Sequence, residues 1–223
     1  MLHLPPLAKN ILFDQTYFEA LKQEFPPIKQ RGDRQHQSYP ESLVTILNIA
    51  VDYSFNPAKH KALDLGSGNG YVVAALASYG CRAYGIEQSQ EIIDTAIASC
   101  AHLELPHQPQ FMKADYLVPE THKQRFPDGT FYQEIDLFYC FVYNSKHAIK
   151  TIVHAFAAQG SAKQHSQLAL TGFYPDSDIS LFNHLGIEPL FLDPETPYSL
   201  FRKARQCEIP HDIEKDYNYQ ESL

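Results

Sequence analysis

The apolar positions of this chain fall into blocks whose spacing changes along the sequence. From Lys61 onward, short apolar runs bounded by glycine or polar residues alternate with segments whose apolar residues recur every three or four positions. The runs predict β-strands, and the spaced segments predict helices. The predicted strands cover residues 62–65, 81–86, 110–113, 134–142, 167–173, 187–192 and 198–204, and predicted helices cover 71–79, 147–158 and 177–185.

A further helix is predicted between the second and third strands. Ser89 is suited to cap its first turn, because a serine oxygen accepts a hydrogen bond from an unpaired backbone N–H at that position. The residues predicted to face the core are Ile92, Ile93, Ala96, Ile97 and Cys100.

Two more helices precede the first strand. Asp14 can cap the first of them, and the two prolines at positions 26 and 27 end it. Pro40 stands at the start of the second, which carries an apolar stripe made of Leu43, Ile46, Leu47, Ala50 and Val51. Residues 1–56 are therefore predicted to form an N-terminal helical extension.

The order of these elements predicts the fold class. Strands that alternate with helices indicate an α/β, doubly wound, mainly parallel sheet with helices on both faces. The last two of the seven strands follow each other through residues 193–197 without a helix, which predicts a closing hairpin. We expect residues 57–206 to form this domain and residues 207–223, which are polar and acidic, to form a C-terminal tail.

Composition narrows the classes of partner. The chain has 223 residues, a formal net charge of −8 and no cluster of lysine or arginine, which disfavours nucleic acid because phosphate contacts need cations. The four cysteines and eleven histidines are scattered without metal-ligand spacing, so no metal site is predicted. No signal peptide or membrane span is evident, which predicts a cytoplasmic protein, with secretion without a visible signal left open. Nothing indicates the oligomeric state.

The candidate chemistry begins where the first predicted strand meets a glycine-rich turn. Gly66, Ser67, Gly68 and Gly70 join that strand to a helix, and such a turn brings backbone N–H groups and a helix N-terminus close to a ligand. Asp64 lies on the strand just before the glycines. Its carboxylate is placed to bind an amino group of the ligand, directly or through water.

Two more acids follow at the ends of the next two strands. Glu87 comes 87 − 68 = 19 residues after Gly68, the position from which a carboxylate can accept hydrogen bonds from both ribose hydroxyls. Asp115 ends the third strand, where it is placed to accept from an adenine amino group. The predicted ligand-binding set is completed by neighbours of these positions and of the fourth strand end, namely Gln88, Ala114, Tyr116 and Phe141.

These segments resemble the first motifs of class I S-adenosylmethionine-dependent methyltransferases. LDLGSGNG at 63–70, GIE at 85–87 and KAD at 113–115 match them in order, and the acidic-apolar stretch at 136–141 matches the fourth. The resemblance implies S-adenosylmethionine as cofactor and methyl transfer as the reaction. A noncatalytic, regulatory protein that binds this cofactor is the first alternative. An NAD-dependent oxidoreductase is the second, and it is disfavoured because Tyr71 stands where that fingerprint needs glycine or alanine.

The acceptor is less well indicated than the cofactor. Methyltransferases that act on amino groups of adenine or glutamine carry Asn/Asp-Pro-Pro-Tyr after the fourth strand, whereas this chain has Phe141-Val142-Tyr143-Asn144. Tyr143 and Asn144 are placed near the acceptor without an assigned role. Tyr39, before Pro40, is loosely similar to a Tyr-x-Pro turn in protein lysine methyltransferases. The predicted acceptor is therefore a protein, with lysine as the candidate side chain, or a small molecule.

Overall fold

Helices and strands alternate from residue 61 onward, as the spacing of apolar positions predicts. The computed structural model describes residues 12–25, 39–118, 121, 123–142, 146–157, 162–173, 180–193 and 195–204. Their helices are α1 (Gln15–Gln23), α2 (Pro40–Asp52), α3 (Tyr71–Ser78), α4 (Gln90–Ala101), α5 (Lys146–Ala157) and α6 (Ser180–His184). Their strands are β1 (Lys61–Leu65), β2 (Arg82–Glu87), β3 (Gln110–Lys113), β4 (Leu137–Phe141), β5 (Gln167–Thr171), β6 (Ile187–Leu192) and β7 (Tyr198–Lys203).

The seven strands form one sheet in the order β3-β2-β1-β4-β5-β7-β6. The first five strands of that order are parallel to one another, and β7 pairs antiparallel with both β5 and β6. The predicted doubly wound sheet and its closing hairpin are therefore confirmed. Because the chain winds outward from β1 in both directions, the carboxyl ends of β1 and β4 border a switch point, where open α/β sheets bind ligands.

Each face of the sheet carries its own apolar core. Along β4, Leu137 and Tyr139 pack with α1, α2 and α3, while Phe138 and Cys140 pack with α5 and α6 on the opposite face. All five residues of β5 are buried, as expected of a central strand covered on both faces. The three cysteines of the described residues are free and buried.

The two helices of the predicted extension pack into the core of the sheet domain. Phe18 and Leu21 of α1 and Leu43 and Leu47 of α2 are fully buried in the cluster that also contains α3. Asp14 caps α1 as predicted, with its carboxylate accepting from the Tyr17 N–H at 2.7 Å. The predicted tail at 207–223 lies outside the described residues.

Two strands are shorter than their apolar runs predict. β4 begins at Leu137 rather than at residue 134, because a 3₁₀ turn over Tyr132–Glu134 precedes it. β5 ends at Thr171 because Gly172 takes a positive φ of 73°, which leaves the extended conformation. An apolar run thus marks a buried segment, and the local backbone decides where within it the strand ends.

One predicted core residue is on the surface. Ile97 of α4 is 50% exposed, while Ile93, Ala96 and Cys100 of the same helix are buried. α4 covers only β2 and the edge strand β3, so the sheet beneath it buries a narrower stripe of the helix than the sequence predicts. Among the described residues, no helix has the length and apolar character needed to cross a membrane.

Candidate cofactor site

The carboxyl ends of β1, β2 and β3 lie side by side at one edge of the sheet. Leu65 at the end of β1 pairs with Ile86, and Glu87 at the end of β2 pairs with Lys113. The glycine-rich turn at 66–70 and the segments that follow β2 and β3 therefore meet at this edge. Through the order of the strands, the sequence-predicted residues come together here from three separate parts of the chain.

The turn at 66–70 depends on its glycines. Gly66, Gly68 and Gly70 have φ values of 80°, 51° and 83°, which side-chain-bearing residues rarely adopt. A Cβ atom on Gly70 would also lie 2.9 Å from the Cβ of Ala96 in α4. The turn is held to β2 by the N–H groups of Gly66 and Ser67, which both donate to the Ile86 carbonyl, at 3.0 and 2.8 Å.

Ser67 points toward β2 rather than outward. A Cβ atom on Gly85 would lie 2.6 Å from the Ser67 hydroxyl oxygen and 2.7 Å from the Phe111 ring. Gly85 therefore makes room for both side chains, a role that sequence reasoning missed although a glycine inside an apolar strand is a signal of close approach. The Ser67 hydroxyl is buried and has no hydrogen-bond partner within the described residues.

Glu87 links the two loops of the site. Its Oε1 accepts from the Gln88 and Ser89 N–H groups at 2.8 and 3.0 Å, and its Oε2 accepts from the Gly68 N–H at 3.3 Å. The side chain is partly buried, so these backbone donors fix its direction while Oε2 stays at the edge of the glycine-rich turn. A carboxylate oxygen has capacity for further donors, such as ligand hydroxyls.

Asp64 is buried beside Glu87 on the same face of the sheet. It is 4% exposed, and none of the described residues donates a hydrogen bond to its carboxyl. Burial, and then the negative charge of Glu87, raise the pKa of Asp64 to about 8. An unpaired buried carboxyl is costly in a folded chain, which indicates that a partner from outside the protein completes it.

The segment after β3 closes the edge from the other side. The Asp115 Oδ1 accepts from the Leu117 N–H at 2.8 Å, which orders the turn and leaves Oδ2 for another donor. The Ala114 N–H donates to the Glu87 carbonyl at 3.1 Å. The Tyr116 ring lies 3.3 Å from where a Cβ on Gly66 would be, and burial raises the pKa of its hydroxyl.

The candidate acceptor-side residues are placed only in part. Tyr39 precedes α2 and is 66% exposed, and the Lys22 ammonium lies 5.6 Å from its ring centre. The start of α2 is at the same edge of the sheet as the glycine-rich turn, because Ser42 reaches Tyr198, which pairs with the last residue of β5. Tyr143 and Asn144 lie outside the described residues.

Another buried polar residue of the turn was not predicted. Asn69 is 4% exposed, and its Oδ1 accepts from the Tyr71 N–H at the start of α3 at 3.3 Å. Phe141 is partly buried at the end of β4, and Gln88 is exposed. Within the described residues, no group of three histidine, cysteine or acidic side chains is placed to hold a metal ion.

A family model described as a methyltransferase domain matches residues 63–155. This stretch runs from β1 to α5 and includes the glycine-rich turn, Glu87 and Asp115. Residues 63–155 therefore contain a methyltransferase domain, and together with the fold this match supports a class I, S-adenosylmethionine-dependent methyltransferase. The match supports this methyltransferase class over the nicotinamide-dependent alternative, which the residue at position 71 already disfavoured.

Solved structures with the fold of this methyltransferase share little sequence with it. A provisionally assigned RNA methyltransferase from Pyrococcus horikoshii is 14% identical, with a TM-score of 0.61 over 84% of this chain and 96% of that one. Magnesium protoporphyrin IX methyltransferase from Synechocystis PCC 6803 is 17% identical, with a TM-score of 0.51 over 76% and 85%. A 16S rRNA methyltransferase from T. thermophilus is 17% identical, with a TM-score of 0.57 over 81% and 47%. A comparison with curated proteins finds no match.

The polar groups at this edge fit the methyl donor of the class. S-adenosylmethionine carries an α-amino group, two ribose hydroxyls and an adenine amino group, all of which donate hydrogen bonds. Asp64, Glu87 and Asp115 each have carboxylate capacity that their protein partners leave open, and they stand at the ends of three adjacent strands. The site therefore offers acceptors in the number that this cofactor requires.

Proposed function

We propose that S-adenosylmethionine lies along the carboxyl edge of the sheet, with its methionine end at the glycine-rich turn. The observation that carries this proposal is the buried Asp64 carboxyl, which has no donor within the described residues. A cationic amino group would supply that donor and would favour the ionised carboxylate. The backbone N–H groups around Gly68 and the N-terminus of α3 suit the ligand carboxylate.

The remaining contacts follow the order of the strands. Glu87 accepts from the ribose hydroxyls, and Asp115 accepts from the adenine amino group. Ala114 and Tyr116 flank the adenosine, and Phe141 at the end of β4 faces the methyl-bearing end. In this arrangement Ser67 and Gln88 contribute through their main chain. The Ser67 side chain packs against Gly85, and the Gln88 N–H donates to the Glu87 carboxylate.

The acceptor we propose is an amino group on a protein, with lysine as the candidate, or on a small molecule. Two observations support it. The net charge of −8 disfavours a nucleic-acid acceptor, and Tyr39 stands exposed at the cofactor edge, on the far side of β4 and β5 from Glu87. Tyr143 and Asn144, which follow β4 in the sequence, are proposed to contact the acceptor.

The cofactor supplies an activated methyl group on a sulfonium, which a nucleophile takes while the carbon–sulfur bond breaks. Because the methyl group is already activated, the main task of the protein is to position the nucleophile and to exclude water. Glu87, tied to three backbone N–H groups, and the turn, tied to Ile86, hold fixed directions before the ligand arrives. Fixed donors and acceptors avoid reorganisation during the reaction.

Calorimetry tests the cofactor contacts. S-adenosylmethionine, S-adenosylhomocysteine and NAD are titrated into the wild-type chain, Glu87→Ala and Glu104→Ala, the last being an exposed glutamate remote from the site. Loss of charge-assisted hydrogen bonds should weaken both adenosyl ligands by about 10- to 100-fold in Glu87→Ala. Glu104→Ala should bind as the wild type does. Equal affinity in both variants would refute the assignment of Glu87 to the ribose. Binding of NAD and of neither adenosyl ligand would refute S-adenosylmethionine as the cofactor.

Labelled methyl transfer tests the acceptor. Methyl-labelled S-adenosylmethionine and the wild-type chain are incubated with a cell extract that is then split into protein, small-molecule and RNA fractions. Label in protein that survives nuclease and is released by protease supports the protein acceptor. Label confined to RNA contradicts the acceptor proposal while leaving the cofactor site intact, and absence of label from every fraction contradicts catalysis on any of these classes.

A further inference from the structure

A cleft of about 350 Å³ opens at the opposite edge of the sheet, at the amino ends of β1, β4 and β5. Its volume lies within the range of small-molecule sites. We propose that this cleft binds a planar molecule that bears a ring amino group and an anionic group, as a nucleoside monophosphate does. Its lining includes Ser54, His60, Lys163, His165, Gln167 and Arg202.

The first observation is an unpaired acceptor at the base of the cleft. Gln167 begins β5 and is only 5% exposed. Its Nε2 donates to the Tyr53 carbonyl at 2.6 Å, which fixes the orientation of the amide because a carbonyl can only accept. The Oε1 atom is buried and has no hydrogen-bond partner in the part of the chain that the structure describes. A buried amide oxygen without a donor is costly, so a ligand that enters the cleft gains most by donating to it.

The second observation is the backbone of the cleft wall. Ser54 and His165 have φ values of 79° and 71°, and they are the two non-glycine residues with positive φ in the described part of the chain. Both line this cleft. Backbone strain of this kind persists where the surroundings impose it, and it gathers at binding sites. Ser54 directly follows the end of α2, a position where glycine is the usual residue.

The side walls suit a flat ring. His60 and Phe55 pack with their ring centres 5.7 Å apart, and Tyr53 is exposed at the rim. The His60 Nδ1 accepts from the Asn56 N–H at 3.0 Å, which leaves Nε2 as the ring nitrogen that can donate. The aromatic wall and the Gln167 oxygen together favour a heterocycle with an amino group over an aliphatic ligand.

The rim carries cations that are only partly satisfied. Lys163 pairs with Asp136 at 2.6 Å, and Arg202 donates to Glu188 from Nε and Nη2, so that no described residue accepts from its Nη1. The exposed imidazole of His165 lies at the same rim. Lys163 and Arg202, each paired with one carboxylate, and the two histidines give the rim several N–H donors, which suit the phosphate of a nucleotide.

This cleft is separate from the cofactor site. Five residues of β1 lie between the cleft and the glycine-rich turn, a separation of about 17 Å at the usual rise of a strand. The proposal therefore does not depend on the function assigned to the other edge, and each can fail alone.

The test is a titration of AMP into the full chain at low salt, with purine riboside 5′-monophosphate, which lacks the amino group, as the matched ligand. We expect saturable AMP binding with a Kd below about 1 mM, and binding of the matched ligand about tenfold weaker. Gln167→Leu should weaken AMP by a similar factor. Equal affinity for both ligands, or no saturable AMP binding, overturns the proposal.

Two further variants make the result specific to the cleft. His165→Gly should raise the Tm, because glycine relieves the positive φ, and it should still weaken AMP severalfold because the imidazole is lost. It keeps the test decisive if Gln167→Leu does not fold. Unchanged AMP affinity in His165→Gly and in any folded Gln167 variant overturns the proposal. Loss of AMP binding in Glu87→Ala alone would assign AMP to the glycine-rich turn and also overturn it.

Discussion

The two edges of the sheet reach the same backbone conformation with different residues. In the glycine-rich turn at the carboxyl edge, positive φ angles fall on Gly66, Gly68 and Gly70, which adopt them at little cost. In the lining of the cleft at the amino edge, they fall on Ser54 and His165, for which this conformation is costly. The glycine-rich turn is therefore unstrained and lets a ligand approach its backbone closely. Ser54 and His165 keep their side chains in the cleft, and the strained backbone lowers the free energy of unfolding.

Each edge also holds a buried acceptor to which none of the described residues donates a hydrogen bond. At the carboxyl edge it is the Asp64 carboxyl, and at the amino edge it is the Gln167 Oε1. An unsatisfied buried group can therefore suggest a ligand site without a sequence motif, because of the two edges only the carboxyl edge carries a recognisable motif.

The largest effect is expected where a glycine combines positive φ with close neighbours. Gly70→Ala places a Cβ 2.9 Å from Ala96 and 3.0 Å from Phe111, whereas Gly129→Ala, also at positive φ, has nothing within 4 Å. Gly129→Ala should cost about 1–2 kcal/mol of unfolding free energy from backbone strain. Gly70→Ala should cost roughly 2–4 kcal/mol, because overpacking adds to that strain. Urea denaturation measures the free energy of unfolding of both variants. Equal losses would show that Ala96 and Phe111 move away from the new methyl group at no cost.

The next effect is on the pH dependence of cofactor binding. With the pKa of Asp64 near 8 in the free protein, binding of a cationic amino group below that pH requires loss of a proton. Affinity for S-adenosylmethionine should rise about tenfold per pH unit toward pH 8. Asp64→Asn should bind more weakly and with a flat profile between pH 6 and 8, measured by calorimetry in buffers of differing ionisation heat. An unchanged slope in the variant would exclude Asp64 as the titrating group.

The raised pKa of Asp64 also makes the stability of the free protein depend on pH. Between its ordinary pKa and about 8, Asp64 binds more protons in the folded state than in the unfolded state, so its contribution to stability falls as pH rises through that window. Asp64→Asn should therefore be more stable than the wild type at pH 8 and should gain less on acidification. Thermal unfolding of both chains at pH 6 and pH 8 checks the sign.

The smallest effect is expected at the strained amino edge. Ser54→Gly should raise the unfolding free energy by about 0.5–1 kcal/mol, because relief of the positive φ exceeds the added freedom of the unfolded chain. Ser54→Ala keeps the strain and serves as the control, with no gain expected. A destabilised Ser54→Gly in urea denaturation would mean that the conformation carries no strain, and the contrast between the edges would be lost.

Much of the carboxyl edge could be predicted from the sequence, and the amino edge could not. The parallel sheet and its closing hairpin follow from the alternation of elements, and Asp64, Glu87 and Asp115 were proposed because they stand at or near the ends of three successive predicted strands. Ser54 and Gln167 have no such context. They meet only after α2 and β5 pack together, so their proximity depends on tertiary structure that one-dimensional spacing does not encode.

Predictions for single residues also fail where tertiary structure decides the outcome. Ile97 fits a helical apolar stripe, but its exposure is decided by how far the sheet extends beneath α4. The Ser67 hydroxyl is a reasonable ligand group by its place in the turn, yet its direction is set by the empty space above Gly85 on the neighbouring strand. Periodicity predicts which face of an element is apolar, and neighbours decide how much of that face is covered.

The contact of Gly85 with Ser67 and Phe111 has a consequence for how this chain could diverge. A side chain can be accepted at position 85 only if residues 67 and 111 both become smaller or move, because the distances are 2.6 and 2.7 Å. The three positions lie on different segments, yet their substitutions are not independent. A larger residue in the middle of β2 should therefore be tolerated best when smaller side chains already stand at positions 67 and 111.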